Sequence, residues 1–169
     1  MGYIYLYTGN GAGKTTGGLG QALRALGHGQ KVLVIQFLKW NRDTGEYLFK
    51  HPNYEINQFS SSEWIGIANL DDKEKSACLD GLSTAYIKST YHGVNLLILD
   101  EVNYAVSVGM LEESNVIEMI TKLRHERPDL NIIMTGRGAT RRLRKLADFV
   151  NVISQVKSKG MVCEEGIQF

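Results

Sequence analysis

Residues 8–16 of this chain read Thr-Gly-Asn-Gly-Ala-Gly-Lys-Thr-Thr. An apolar run, Tyr3 to Tyr7, precedes them, and a stretch rich in Gly, Ala and Leu, Thr15 to Leu26, follows. Glycines at positions 9, 11 and 13 let the backbone turn its N–H groups inward. A helix starting near the Lys-Thr pair adds its positive end, and Lys14 adds a point charge. Together these make a cradle for phosphate oxygens, and the cradle requires a strand before it and a helix after it. The segment therefore commits the chain to an α/β fold. The strict pattern G-x-x-x-x-G-K-[ST] asks for glycine at position 8, where this chain carries Thr8, so the loop is a variant P-loop.

The rest of the sequence has the same alternation. Apolar runs at Val32 to Leu38, Leu96 to Leu99, Ile132 to Met134 and Phe149 to Ile153 suit strands buried on both faces of a parallel sheet. Helical patterns lie between them. Thr15 to Leu26 stops at Gly27-His28-Gly29, Asp72 to Tyr91 forms a second, and Glu112 to Arg127 sets Val116, Met119, Ile120 and Leu123 on one face before Pro128. This order predicts a three-layer, RecA-like P-loop NTPase fold with a mostly parallel central sheet and right-handed crossovers. Trp40 to Asn69 is the least regular stretch, an excursion predicted to hold a short helix and an edge strand. With 169 residues, two prolines and no repeat, one domain spanning 1–169 is expected.

Composition narrows the function. At 43% hydrophobic and 22% charged residues the chain is balanced for a soluble globular protein. A formal net charge of +1 makes no large field, so nothing global recommends nucleic acid or an anionic membrane, and any anion site must be local. No apolar run approaches the ~20 residues that span a bilayer, and the opening Met-Gly-Tyr-Ile-Tyr has no secretory pattern. Cys78 and Cys163 stand alone, and His28, His51, His92 and His125 lack ligand spacing. Disulfide and zinc chemistry therefore have no support. A cytoplasmic protein is expected.

A P-loop needs an acidic group at the end of a neighbouring strand to hold Mg²⁺, and Leu96-Leu97-Ile98-Leu99-Asp100-Glu101 supplies two. Thr15 can add its hydroxyl. Spacing alone leaves open which carboxylate touches the metal. Thr135-Gly136-Arg137-Gly138 follows another apolar strand and should reach the same sheet edge, where Arg137 is a candidate phosphate contact. Arg141-Arg142-Leu143-Arg144-Lys145 reads as a solvated helix face, since it lacks aromatic residues for base stacking.

With these residues assembled, the chain resembles the P-loop ATP:corrinoid adenosyltransferases of the cobalamin pathway. The likeness runs through Tyr7 to Thr16, Ala22 to Gly29, Val34-Ile35-Gln36-Phe37-Leu38-Lys39, Leu97 to Ala105, Thr135 to Gly138 and Ala147-Asp148. It implies transfer of the 5′-deoxyadenosyl group of ATP to the cobalt(I) of a corrinoid, with triphosphate leaving. The corrinoid would be cobalamin, cobinamide or cobyrinic acid a,c-diamide. A homodimer and a flavoprotein reductant are further implied. By resemblance Lys14, Thr15 and Arg137 contact phosphates, and Gly9, Asn10, Gly11, Ala12, Gly13 and Thr16 complete the ATP site. Glu101 with Thr15 binds Mg²⁺, and Asp100 is the other candidate ligand. Trp64 and Phe59 are the expected corrinoid contacts, because a family segment with a Phe and a Trp packs against the corrin and displaces the lower axial ligand.

The chain departs from the family pattern in several places. Ala12 stands where a lysine is usual, Ser62 where the phenylalanine before Trp64 is expected, and Asn151-Val152 where Thr-Glu is usual. Two readings compete with the enzyme. One is a RecA-like, nucleic-acid-dependent ATPase using Arg141 to Lys145, and the other a non-catalytic paralogue that binds nucleotide or corrinoid without turnover.

Overall fold

The computed structural model describes residues 1–60, 71–160 and 164–167. Six strands lie in them: β1 (Ile4–Thr8), β2 (Val32–Phe37), β3 (Tyr54–Phe59), β4 (Leu96–Asp100), β5 (Asn131–Thr135) and β6 (Phe149–Val152). They form one sheet in the order β3-β2-β4-β5-β1-β6, and every pairing is parallel. Helices α1 (Lys14–Gly27), α2 (Gly45–Leu48), α3 (Asp72–Tyr91), α4 (Val102–Ser107), α5 (Glu113–Glu126) and α6 (Arg141–Leu146) connect them. The expected α/β class, parallel sheet and main helices are all present.

Strand geometry sorts the apolar residues into two cores, because successive side chains point to opposite faces. Leu33, Ile35, Phe37, Leu97 and Leu99 face α3, α4, α5 and α6. Val32, Val34, Leu96 and Ile98 face Ala22, Ala25 and Leu26 of α1. β2 and β4 are buried along their whole length, which is why they read as unbroken apolar runs. Each such Leu, Ile or Val contributes roughly 1.5–3 kcal/mol through removal from water. α3 holds for 20 residues in spite of Gly81. Asp71 caps it by accepting a hydrogen bond from the Glu74 N–H at 3.0 Å.

The excursion after β2 contains the expected short helix, α2, and the expected edge strand, β3. One expectation needs correction. Phe149 to Ile153 is not a doubly buried strand: β6 forms the far edge beyond β1, and Phe149, Val150 and Val152 are exposed. Phe149 stacks on Tyr5 at 4.9 Å between ring centroids, at the margin of the core that α1 builds. α4 was not anticipated; it starts directly after the acidic pair and packs Val102 and Ala105 into the core.

All six carboxyl ends point the same way. The chain leaves β1 toward one face through α1, and leaves β4 and β5 toward the other through α4 and α6. Such divergence opens a crevice at the sheet's carboxyl edge. The loop at 9–13, Lys39, Glu101 and Arg137 are all delivered to it. Among the described residues no helix is long and apolar enough to cross a membrane.

A phosphate cradle and its acidic anchor

The loop is held by the strand beyond it. Gly11 N–H donates to the Ile153 carbonyl at 2.9 Å. Gly9 has φ 103°, and a Cβ there would lie 2.3 Å from that same Ile153 oxygen, so only glycine fits. Thr8, the departure from the strict pattern, is buried. Its hydroxyl accepts a hydrogen bond from Ala139 N–H at 3.3 Å, tying the start of the loop to the segment after β5. Lys14 curls over the loop and donates to the Gly11 carbonyl at 2.7 Å. Burial holds its ammonium below the ordinary lysine pKa. Glu101 and Asp100 pull it up, and Arg137 pushes it down further.

Asp100 is the hub of the site. It is 1% exposed, and both oxygens are engaged. Oδ1 accepts from Thr15 Oγ1 at 2.8 Å and Thr135 Oγ1 at 2.5 Å. Oδ2 accepts from Lys39 Nζ at 2.6 Å and Gln36 Nε2 at 3.0 Å. Burial works to raise its pKa, but the Lys39 charge and the hydrogen bonds from Lys39, Thr135 and Thr15 outweigh it, holding the carboxyl below its usual range. Lys39 responds in kind: burial works against its charge, and Asp100 raises its pKa above the ordinary value.

Glu101 is different. Its backbone is left-handed, with φ 61°, so its side chain leaves the direction of the strand and lines the cleft. No hydrogen bond to its carboxylate is formed among the described residues. Burial raises its pKa, the Asp100 charge adds to the rise, and Lys39, Lys14 and Arg137 oppose it.

The segment after β5 is locked to the segment after β4. A Cβ on Gly136, at φ 124°, would lie 2.8 Å from Tyr104 N and 3.2 Å from the Glu101 Cα. Asn103, fully buried, donates to the Tyr7 carbonyl at 3.3 Å and the Gly136 carbonyl at 3.4 Å. Arg137 is thereby set near Lys14 and Glu101 in an exposed position. Gly136→Ala is expected to cost at least ~2 kcal/mol, combining backbone strain and the clash. The midpoint of urea unfolding should fall accordingly.

The cleft beside the loop has a volume of about 780 Å³. Gly13, Lys14, Thr15, Lys39, Glu46 and Glu101 give its lining polar groups, and Leu19, Leu23, Phe49, Tyr54 and Ile167 give it apolar surface. Ala12 and Thr16 border it as well. Gly9 and Gly11 shape the loop from behind, and Asn10 is exposed at its tip. Phe59 lies apart from this lining: it packs against the core at Phe37 and α3, its ring beside Gly81. Trp64 and Ser62 fall outside the described residues. Sequence reasoning quoted Lys39 and Asn103 only within longer motifs and missed their roles. The available signal for Lys39 was its place two residues past a buried strand. On the basic cluster, Arg142 pairs with Glu113 at 3.0 Å and Arg144 donates to the Ala139 carbonyl at 3.1 Å.

A parallel sheet with a glycine loop and Lys14-Thr15 after β1, and a buried aspartate bonded to that threonine at the end of β4, defines a P-loop nucleotide-binding protein. A solved structure, the genome packaging NTPase B204 from Sulfolobus turreted icosahedral virus 2 in complex with sulfate, has the same fold. Its TM-score is 0.59 at 14% identity, covering 92% of this chain and 76% of that one. More specifically, the model of the family "ATP:corrinoid adenosyltransferase BtuR/CobO/CobP" matches residues 1–169. The corrinoid adenosyltransferase of Escherichia coli K12 is 31% identical over 171 residues, 99% of this chain and 86% of that protein. The corrinoid adenosyltransferase of Pseudomonas aeruginosa is 33% identical over 175 residues, 99% of this chain and 84% of that protein. The chain belongs to the ATP:corrinoid adenosyltransferase family.

Proposed function

We propose that this protein transfers the 5′-deoxyadenosyl group of Mg²⁺-bound ATP to the cobalt(I) of a corrinoid and releases triphosphate. The observation that carries the reading is the pairing of a cationic cradle with a cleft that continues into an apolar wall. Lys14, Thr15 and Lys39 share its lining with Leu19, Leu23 and Phe49. An ATPase needs a positioned water and a base. An alkyl transfer needs a stabilised leaving group and room for a large, partly apolar acceptor.

In the reaction the cobalt(I) lone pair attacks C5′, the C5′–O bond breaks, and its electron pair leaves with the triphosphate. Cobalt(I) becomes alkylcobalt(III), and no proton need move. The protein's task is to place C5′ and to stabilise charge on the departing oxygens. Lys14 and the N–H groups of Gly13 and Thr15 face the phosphates, on a loop that the Gly11 N–H ties to Ile153. Arg137 closes over them, and Gly9, Asn10, Ala12 and Thr16 complete the cradle. The residues suit Mg²⁺, which takes few protein ligands and keeps phosphate and water oxygens. Thr15 Oγ1 donates a hydrogen bond to Asp100 and keeps a lone pair for the ion, and the Glu101 carboxylate lines the cleft. When bound, Mg²⁺ would neutralise triphosphate charge. Trp64 is the proposed corrinoid contact, while Phe59 packs against the core beside Gly81. A single domain over 1–169, a homodimer, a cytoplasmic location and a flavoprotein reductant complete the reading.

Incubation with Mg²⁺-ATP and chemically reduced cobalamin is expected to give adenosylcobalamin by its absorption spectrum, with one triphosphate per product. Orthophosphate without adenosylcobalamin, especially if stimulated by nucleic acid, would sink the proposal in favour of an ATPase. Binding of both ligands without transfer would do so in favour of a non-catalytic paralogue.

A further inference from the structure

The Lys39–Asp100 pair occupies the position from which a strand-end aspartate would ordinarily reach a divalent ion. Leu38, with φ 57°, turns the chain as it leaves β2. Its N–H donates to the Phe59 carbonyl at 3.0 Å, fixing the turn against β3. The turn sends Lys39 back over the sheet edge, where Nζ reaches Asp100 Oδ2 at 2.6 Å and Thr15 Oγ1 at 3.5 Å. A carboxylate has about four lone-pair directions. Asp100 spends all four on Thr15, Thr135, Gln36 and Lys39. Gln36 is held in turn, its Oε1 accepting from Gln58 at 3.0 Å. The aspartate is thus neutralised by an ammonium within its own protein, and the next residue, Glu101, carries the open carboxylate.

We infer that Lys39 is a positioning residue that occupies Asp100 as a permanent counter-ion and thereby steers the divalent cation of the nucleotide to Glu101 and Thr15. The inference rests on the reading of this cleft as an Mg²⁺-ATP site. One open carboxylate and one hydroxyl hold a divalent ion weakly by themselves, so the metal enters with the triphosphate. Without the Lys39 ammonium, Asp100 and Glu101 would offer two adjacent carboxylates beside Thr15. That arrangement would attract the ion even with no nucleotide present.

The test is Mn²⁺ binding to the purified full chain, followed by the electron paramagnetic resonance signal of free Mn²⁺. Without nucleotide, Lys39→Met is expected to bind one Mn²⁺ at least about tenfold more tightly than the unaltered protein. Lys39→Arg, which restores the cation, should show no such gain; a merely structural lysine would not produce this split. Equal Mn²⁺ affinity in the unaltered protein and a folded Lys39→Met would overturn the inference. Glu101→Gln keeps the Lys39–Asp100 pair and serves if Lys39→Met unfolds. It should weaken ATP-dependent Mn²⁺ binding at least about tenfold, and unchanged binding would make Asp100 the ligand and overturn the inference. Failure of the unaltered protein to form adenosylcobalamin would count against the proposed activity while leaving these metal readouts intact.

Discussion

Lys14→Met should lower kcat/KM for adenosyl transfer by about 10²–10³-fold, or ~3–4 kcal/mol, the loss found when one preorganised donor to a developing anion is removed. Its melting temperature should be unchanged or slightly raised. The two halves of this expectation share a cause. Lys14 is 7% exposed, and its partner is the neutral carbonyl of Gly11. Burial therefore disfavours its charge, as its lowered pKa records. Folding the ammonium into this position costs stability that is recovered only when phosphate arrives. Methionine has similar length and no charge to desolvate. Steady-state kinetics with pre-reduced cobalamin, calorimetric ATP titration and a thermal melt on one preparation would check both halves. A large drop in melting temperature would mean that Lys14 supports the fold; near-normal transfer would remove it from the site.

Features readable in the sequence were those encoded locally. The strand, glycine loop and helix at Ile4 to Gly27 are contiguous, and their chemistry follows from backbone geometry. β2 and β4 are buried on both faces, so their apolar runs carried their position directly. β6 broke the same rule, because a run as short as Phe149 to Ile153 does not record whether a further strand lies beyond it. What escaped the sequence depends on register between distant segments. Gln36 pairs with Asp100 across the β2–β4 ladder, and only that alignment brings Lys39, two residues past the strand, onto the aspartate. Asn103, in α4, bridges Tyr7 of β1 and Gly136 after β5. Thr8 looked like a mere departure from a pattern. In the fold its hydroxyl does what glycine cannot, accepting the Ala139 N–H. Which of the two adjacent carboxylates faces the cleft was undecidable from spacing, since it turns on a single left-handed residue.

That choice carries the second large effect. Asp100→Asn is expected to destabilise the protein by about 3 kcal/mol, the low end of the loss when one partner of a buried ion pair is removed. The low end applies because the Lys39 side chain keeps 27% exposure and regains some water. For a chain of this size that corresponds to a fall of roughly 6–12 °C in melting temperature. Glu101→Gln should behave oppositely, with transfer reduced about 10²-fold or more and melting temperature held or raised. Its carboxylate is partly withdrawn from water and lies beside Asp100, and both effects push its pKa up, so its charge is a cost to the folded state. The two residues are neighbours in sequence, identical in charge and nearly identical in size. One is surrounded by four donors and anchors β2, β4, β5 and the loop to one point; the other faces the cleft with none among the described residues. Thermal melts and transfer assays on the two variants in parallel would separate the roles. Equal destabilisation by both, or full activity in Glu101→Gln, would show that the division of labour between them had been misassigned.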